Sequence, residues 1–330
     1  MRRYFGRKLL IYVLTFWVAA TIDWMIPRFM PGDPIQGLLS RYTIAPEAVP
    51  ALMAYYRSVY GLDQPILQQY LNFWVSLLHG DLGRSVYQSG RPVVDVIMAA
   101  LPYTLALLIP AILLSWWAGN KAGAIAARRR ILDDTVLPIS YILTATPYMW
   151  LAIMLGWLFG SVLSLFPLAG GYSFSMEPSL TWAFFTNLVW HWFLPFLSLF
   201  LVQLGGWAIG MRNMIIYELD ADYCRYLNAL GAPSSLVRKY AFRNAELPQV
   251  TGLALSLGVV VAGALVTEIV FAYPGLGKLL LAAVQNQDYF LLQGIFLFVI
   301  IGVLIANFLV DIVYVIVDPR TRVGMQGGSA

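Results

Sequence analysis

The chain has 330 residues, 60% of them hydrophobic, 15% aromatic and only 12% charged, with a mean hydropathy of +0.71. Soluble globular domains carry about 25% charged residues, so this composition excludes one and indicates an all-α integral membrane protein. A net charge of +4 does not call for nucleic acid, because no aromatic-basic strand pattern accompanies it. The single cysteine, Cys224, excludes an internal disulfide and a Cys-rich metal site and reads as a bystander on a helix. His79 and His191 stand apart, so no familiar zinc constellation is expected and no metal ligands are assigned.

Stretches of about 20 apolar residues mark six transmembrane helices: Leu9 to Phe29, Leu101 to Ala127, Val136 to Leu165, Leu188 to Met211, Val250 to Phe271 and Leu291 to Val317. The first follows Arg2, Arg3, Arg7 and Lys8 as a signal peptide would. Its apolar run is too long for a signal core, and Trp17, Trp24 and Pro27 make a poor cleavage region, so it reads as a retained helix. Residues 1–30 form this first unit. The segment 31–100 is too apolar for disorder. Within it, Pro46 to Tyr60 and Pro65 to His79 read as amphipathic helices stopped by Gly61 and Gly80, either a platform for a soluble partner or a structural lid. Residues 101–317 hold the other five spans, with Pro138 and Pro147 expected to bend the third and Gly156 and Gly160 permitting close helix contact. Residues 318–330 form the tail.

Fifteen of the 21 Lys and Arg residues fall on one side of these spans: the N-terminus, the turn with Lys121, Arg128, Arg129 and Arg130, the stretch with Arg212, Arg225, Arg238, Lys239 and Arg243, and Arg320 and Arg322 in the tail. Basic loops face the cytosol, which puts both termini there in a cell-membrane, multi-pass topology.

Residues 212–248 are therefore a cytosolic excursion. From Glu218, the apolar residues Leu219, Tyr223, Tyr226, Leu227 and Leu230 follow a 3.6-residue period, with Glu218, Asp220 and Asp222 at the favourable end of the helix dipole. Gly231 suits the left-handed position after a helix and Pro233 the first turn of the next, which passes through Leu236, Val237, Tyr240 and Ala241. Pro248 marks re-entry into the membrane. Such a hairpin must bury its apolar stripe, either on the protein's own helix ends or, at the Gly-Ala-Pro corner, in a groove on a soluble partner.

Charged side chains at mid-membrane cost about 2.5 to 3.5 kcal/mol, so each needs a role. Asp23 lies near the outer end of the first span, Glu268 near the outer end of the fifth and Asp311 in the inner half of the sixth, where it is placed to anchor the helix near Arg320. Glu268 is a candidate pathway or gate residue, with a structural pairing to Lys278 or Arg28 as the alternative. Gln203 and Asn307 are neutral mid-span groups that either line a pathway or bond between helices. The stretch Gly275 to Lys278 faintly matches a phosphate loop, but that loop needs glycine where Ala272 stands and Ser or Thr where Leu279 stands.

Several motifs then carry a resemblance. Asp222, Tyr223, Arg225, Ala229 and Gly231 form D-Y-x-R-x-x-x-A-x-G, followed by Arg243-Asn244-Ala245-Glu246-Leu247-Pro248. With PGDP (31–34), YGLDQPILQQYLNFWVSLLHGDLGRSVYQSGRPV (60–93), YPGLGKLL (273–280), DYFLLQG (288–294) and VDPRTR (317–322), the chain resembles the inner-membrane permease subunits of binding-protein-dependent ABC importers, in the dipeptide/oligopeptide branch. The resemblance implies a type I ABC importer permease architecture. Its implied partners are a second homologous permease subunit, two cytosolic ATPase subunits that bind ATP and Mg, an external substrate-binding protein and the lipid bilayer. The chain itself would bind no cofactor and catalyse nothing. The resemblance also implies coupling to the ATPases through Arg225, Tyr226, Leu227, Ala229, Gly231, Ala232, Pro233, Ser234 and Leu236, although Arg225-Tyr226-Leu227 replaces the Glu-Ala-Ala of the general importer pattern.

Short peptides are the cargo the branch implies. Oligosaccharides of the cello, xylo or manno type are the alternative, given 11 Trp and 19 Tyr. An ion channel would need a filter or charged ring that the dispersed acids do not supply. An intramembrane hydrolase would need a nucleophile near His79 or His191, and neither histidine sits in a motif.

Overall fold

The computed structural model describes residues 2–30, 33–39, 45–128 and 130–317. Twelve α-helices run through them in order: α1 Arg2–Phe29, α2 Pro34–Leu39, α3 Val49–Val59, α4 Ile66–Leu78, α5 Val93–Ala126, α6 Arg130–Ala145, α7 Tyr148–Leu155, α8 Trp182–Leu219, α9 Asp222–Ala229, α10 Ser234–Val270, α11 Leu276–Gln285 and α12 Tyr289–Val317. Among the described residues, four single helical stretches are long and apolar enough to cross a bilayer: Lys8–Phe29, Val93–Ala126, Trp182–Leu219 and Tyr289–Leu309. They carry the first, second, fourth and sixth expected spans. The fifth falls on α10, part of which lies outside the described side chains.

The third span departs from the sequence expectation of one bent helix. α6 and the helical run Tyr148–Val162 meet at 102°. Pro147 causes the break: it has no N–H to donate, its ψ is 140°, and the residue before a proline is pushed out of the helical region. Pro138, by contrast, sits inside an unbroken α6. The run beyond α7 widens into a π-helical turn over Gly156–Val162, where the Phe271 ring lies 3.5 Å from where a Gly156 methyl would stand.

The chain forms two compact units, one of Tyr103–Pro274 with the end of α12, the other of Arg2–Pro102 with Gly275–Leu304. In the first, Leu107, Ala111, Ala152, Leu155, Leu194, Leu199, Ala264 and Tyr273 form the apolar centre. Its helices pack backbone to backbone through glycines, as membrane helices do when no aqueous hydrophobic effect drives them together. A methyl on Gly123 of α5 would stand 2.2 Å from the Ala208 carbonyl oxygen of α8, and one on Gly205 of α8 2.4 Å from the Ser140 carbonyl oxygen of α6.

In the second unit, α1 and α4 join through Thr21 Oγ1 and the Tyr70 hydroxyl at 2.9 Å and an edge-on Trp24–Tyr70 pair. The Arg28 guanidinium lies over Trp24 and donates to Gln69. α3 and α4 end where Gly61 (φ +64°) and Gly80 (φ +74°) adopt the left-handed conformation, and each end closes the two backbone bonds of a Schellman turn. Asp33 caps α2 by accepting from the Ile35 N–H and pairs with Arg57. The motifs at 80–93 and 288–294 meet here. Fully buried Asp288 accepts from Ser85 Oγ at 2.5 Å, from the Tyr87 N–H at 2.8 Å and from the Leu291 N–H at the start of α12. Beside it, Gly294 leaves room for Val93 and Gly83 for the Phe290 ring. These sequence signatures therefore record packing.

Candidate functional site

The hairpin of α9 and α10 is built around one small core. Cys224, Val237 and Ala241 are buried, with Leu219, Tyr223, Leu227 and Ala232 packed on them. Cys224 is thus central to the hairpin, which corrects its reading as a bystander; a thiol serves there as a small apolar side chain. Its position one turn before Leu227 was the available signal. α9 starts at Asp222, so Glu218 and Leu219 belong to the end of α8 and only Asp222 lies in the first turn. Glu218 instead accepts from the Tyr223 hydroxyl at 2.6 Å; burial, then this bond, push the Tyr223 hydroxyl pKa up.

That shorter helix changes which face is covered. Tyr226 and Leu230, expected on the buried stripe, are 65% and 64% exposed. Between the helices, Gly231 takes φ +76°, the Ala232 N–H bonds the Leu227 carbonyl and the Gly231 N–H that of Asn228, completing a Schellman turn. Pro233 stands one residue before α10 instead of in its first turn. Of the nine residues assigned to coupling, Arg225, Tyr226, Ala229, Gly231, Pro233, Ser234 and Leu236 face outward, while Leu227 and Ala232 turn toward the core. Leu230 and Tyr240, outside that set, extend the exposed apolar surface.

α10 continues without interruption from Ser234 through Pro248 to Val270. Proline inside a membrane helix is tolerated, and next to it the Gln249 carbonyl accepts from Trp116 Nε1, tying α10 to α5. α10 passes Pro248 unbroken, so the hairpin and the expected fifth span share one helix.

Where α6 breaks from α7, a cavity of about 530 Å³ opens among Thr144, Thr146, Tyr148, Gln203, Trp207 and Gln249. Glycines on α8 shape it: Gly206 and Gly210 admit Thr144 Oγ1 and the Gln249 amide to 3.1 and 3.2 Å of where their methyls would stand. Gln203 lines it and is 8% exposed, and among the described residues its buried Nε2 finds no hydrogen-bond partner. The other two pathway candidates lie outside this lining. Glu268 is fully buried in the last turn of α10, where its carbonyl accepts from the Tyr273 N–H, and Asn307 is half-buried on α12. The Thr144, Thr146 and Gln249 positions escaped the sequence reading because only the 102° break brings them together. Among the described residues, no group of three metal-ligating side chains occurs. The partner proposed for Asp311, Arg320, lies outside the described residues.

Comparison with known proteins places the sequence in a family. Residues 111–323 match the family model described as "Binding-protein-dependent transport system inner membrane component". The chain is 33% identical to the "Probable D,D-dipeptide transport system permease protein DdpB" of Escherichia coli (strain K12), over 93% of each chain. It is 31% identical to the "Di/tripeptide transport system permease protein DppB" of Pseudomonas aeruginosa (strain UCBPP-PA14) and to the "Dipeptide transport system permease protein DppB" of Escherichia coli (strain K12), in both cases over 98% of this chain and 99% of the relative. A helical membrane protein with this match over most of its length belongs to the family of binding-protein-dependent transport system inner membrane components.

Proposed function

We propose that this chain is one of two transmembrane permease subunits of an ATP-driven importer that takes up short peptides handed over by an external binding protein. Two cytosolic ATPase subunits, holding ATP and Mg, supply the energy. Both termini and the α9–α10 hairpin face the cytosol, and the segment 31–100 lies outside. The observation that carries the reading is mechanical: an exposed elbow bearing Tyr226, Leu230 and Leu236 is continuous, through one unbroken helix, with a membrane span. Docked in an ATPase cleft, the elbow moves when the ATPases close, and α10 transmits that movement into the bilayer. The names of the relatives favour peptides over sugars as cargo.

The cavity at the α6–α7 break fits a peptide better than an apolar solute. Its amide and hydroxyl groups match the alternating donors and acceptors of a peptide backbone without adding charge, so one lining serves many side chains.

The test is uptake into proteoliposomes containing both permeases and the ATPases, with binding protein outside the face that receives it. Labelled di- and tripeptides should accumulate with ATP. Tyr226→Asp with Leu230→Asp should lower that uptake at least tenfold while leaving the chain inserted, because it removes an aromatic anchor and puts unpaired charges into the docked surface. Uptake of cello-, xylo- or manno-oligosaccharides without peptide uptake would contradict the cargo. Full uptake by the double variant would contradict the coupling role.

A further inference from the structure

A second cavity, also of about 530 Å³, lies among the ends of α5, α8 and the start of α10. Four cations surround it: Lys121 and Arg128 on one side, Arg238 and Lys239 on the other. Among the described residues, no acidic side chain lines it. Of the acids on adjoining segments, Asp133 is held by Arg212 at 2.8 Å and Glu218 by Tyr223, while Asp220, Asp222 and Glu246 lie outside the lining. Four basic side chains around one groove with no acid among its lining make a positive field that attracts an anion.

The floor says what else that occupant carries. Ile215, Leu219 and Phe242 lie under the cations, on a packed base with Met211 and Ala245. A free phosphate or nucleotide would leave this apolar surface wet. A molecule with an anionic head and a hydrocarbon tail covers both parts.

α5 fixes the level of the cavity in the membrane. Leu114, Trp117, Lys121 and Ile125 recur at helical spacing along one side of it. Leu114, Trp117 and Ile125 are 46%, 53% and 44% exposed, as lipid-facing residues are. The Lys121 ammonium sits over the Trp117 ring, 3.9 Å from its centre. Tryptophan paired with a cation at the end of an apolar helix face is the arrangement of a membrane–water boundary. We infer that this groove binds the phosphodiester headgroup of an anionic phospholipid, with the acyl chains running along the Trp117 face of α5, as basic pockets between membrane helices do. With the hairpin facing the cytosol as proposed, the groove serves the inner leaflet, but lipid binding there does not rest on the coupling role of the hairpin.

The full chain, purified in mild detergent, would be offered cardiolipin, phosphatidylglycerol or phosphatidylcholine and the retained lipid measured by native mass spectrometry. Cardiolipin and phosphatidylglycerol should be retained at least tenfold over phosphatidylcholine. Joint replacement Lys121→Gln, Arg128→Gln, Arg238→Gln and Lys239→Gln should erase that preference. The charge-preserving set Lys121→Arg, Arg128→Lys, Arg238→Lys and Lys239→Arg should keep it, and Arg91→Gln, remote in sequence and exposed, should not alter it. If the fourfold neutral variant fails to fold, the pairs Lys121→Gln with Arg128→Gln and Arg238→Gln with Lys239→Gln should each lower anionic-lipid retention about threefold or more. Equal retention of all three lipids would overturn the assignment. So would displacement of the lipid by inorganic phosphate at millimolar concentration, which would make the site a phosphate site. Unchanged lipid preference in the neutral variants, with loss of ATPase association in lipid-free detergent, would make it a protein-docking site and overturn it equally.

Discussion

An alanine methyl at Gly123 would stand 2.2 Å from one backbone oxygen and 2.9 Å from the Arg212 nitrogen, so α5 and α8 touch there with no room for a side chain. Gly123→Ala should lower stability by about 1–3 kcal/mol, the range for overpacking a tight contact. Gly302→Ala, whose methyl would meet nothing within 4 Å, should not; thermal unfolding in detergent compares the two. Asp33 makes a second prediction at this scale. Burial alone would raise its carboxyl pKa, but the Arg57 bond and charge and the Ile35 and Gln36 N–H groups hold it below the ordinary value. A depressed folded pKa contributes stability above the unfolded value of about 3.9 and loses it as pH falls through the folded one. Wild type should therefore unfold at a higher temperature than Asp33→Asn at pH 6, and the gap should close below about pH 3.9. A gap that stays constant with pH would show that the carboxylate charge is not what Arg57 holds.

Helix ends decide how the elements join. α10 ends in a Schellman turn whose left-handed residue is Ala272, at φ +45°, in a position that glycine fills at Gly231. A left-handed Ala costs roughly 1–2 kcal/mol, so Ala272→Gly should raise stability by about 1 kcal/mol after the entropy glycine adds to the unfolded chain. A fall in unfolding temperature would mean that the Ala272 methyl contributes packing that outweighs its strain. The same kind of turn, with its proper glycine, gives the elbow at 231 a fixed shape, and the unbroken α10 leaves no joint between elbow and span. If the elbow docks on an ATPase as proposed, rigidity on both sides of the corner would carry the displacement from one end to the other.

At the scale of the whole molecule, the solvent, the helical class and most spans were legible because a bilayer demands long apolar runs, a requirement that local composition meets directly. The glycine stops at 61, 80 and 231 were legible for a similarly local reason. What the sequence hid was set by contacts between distant residues. The 102° break at Pro147 looks in sequence like a kink, and Pro138 and Pro248, no less proline, interrupt nothing. Asp288 and Ser85, 203 residues apart, read as separate motifs until their side chains meet. In the hairpin the period was visible but its phase was not, because the start of α9 at Asp222 moves Tyr226 and Leu230 outward and brings Cys224 in. The buried native thiol is therefore a poor reporter of where the hairpin lies. Exposed Ala229 is a better one. In a Cys224→Ala, Ala229→Cys chain, a membrane-impermeant maleimide should label inverted vesicles and not right-side-out ones, and bound ATPase subunits should block the labelling. Labelling from the outer face, or labelling undiminished by ATPases that are driving uptake, would contradict the account of the hairpin as the coupling element.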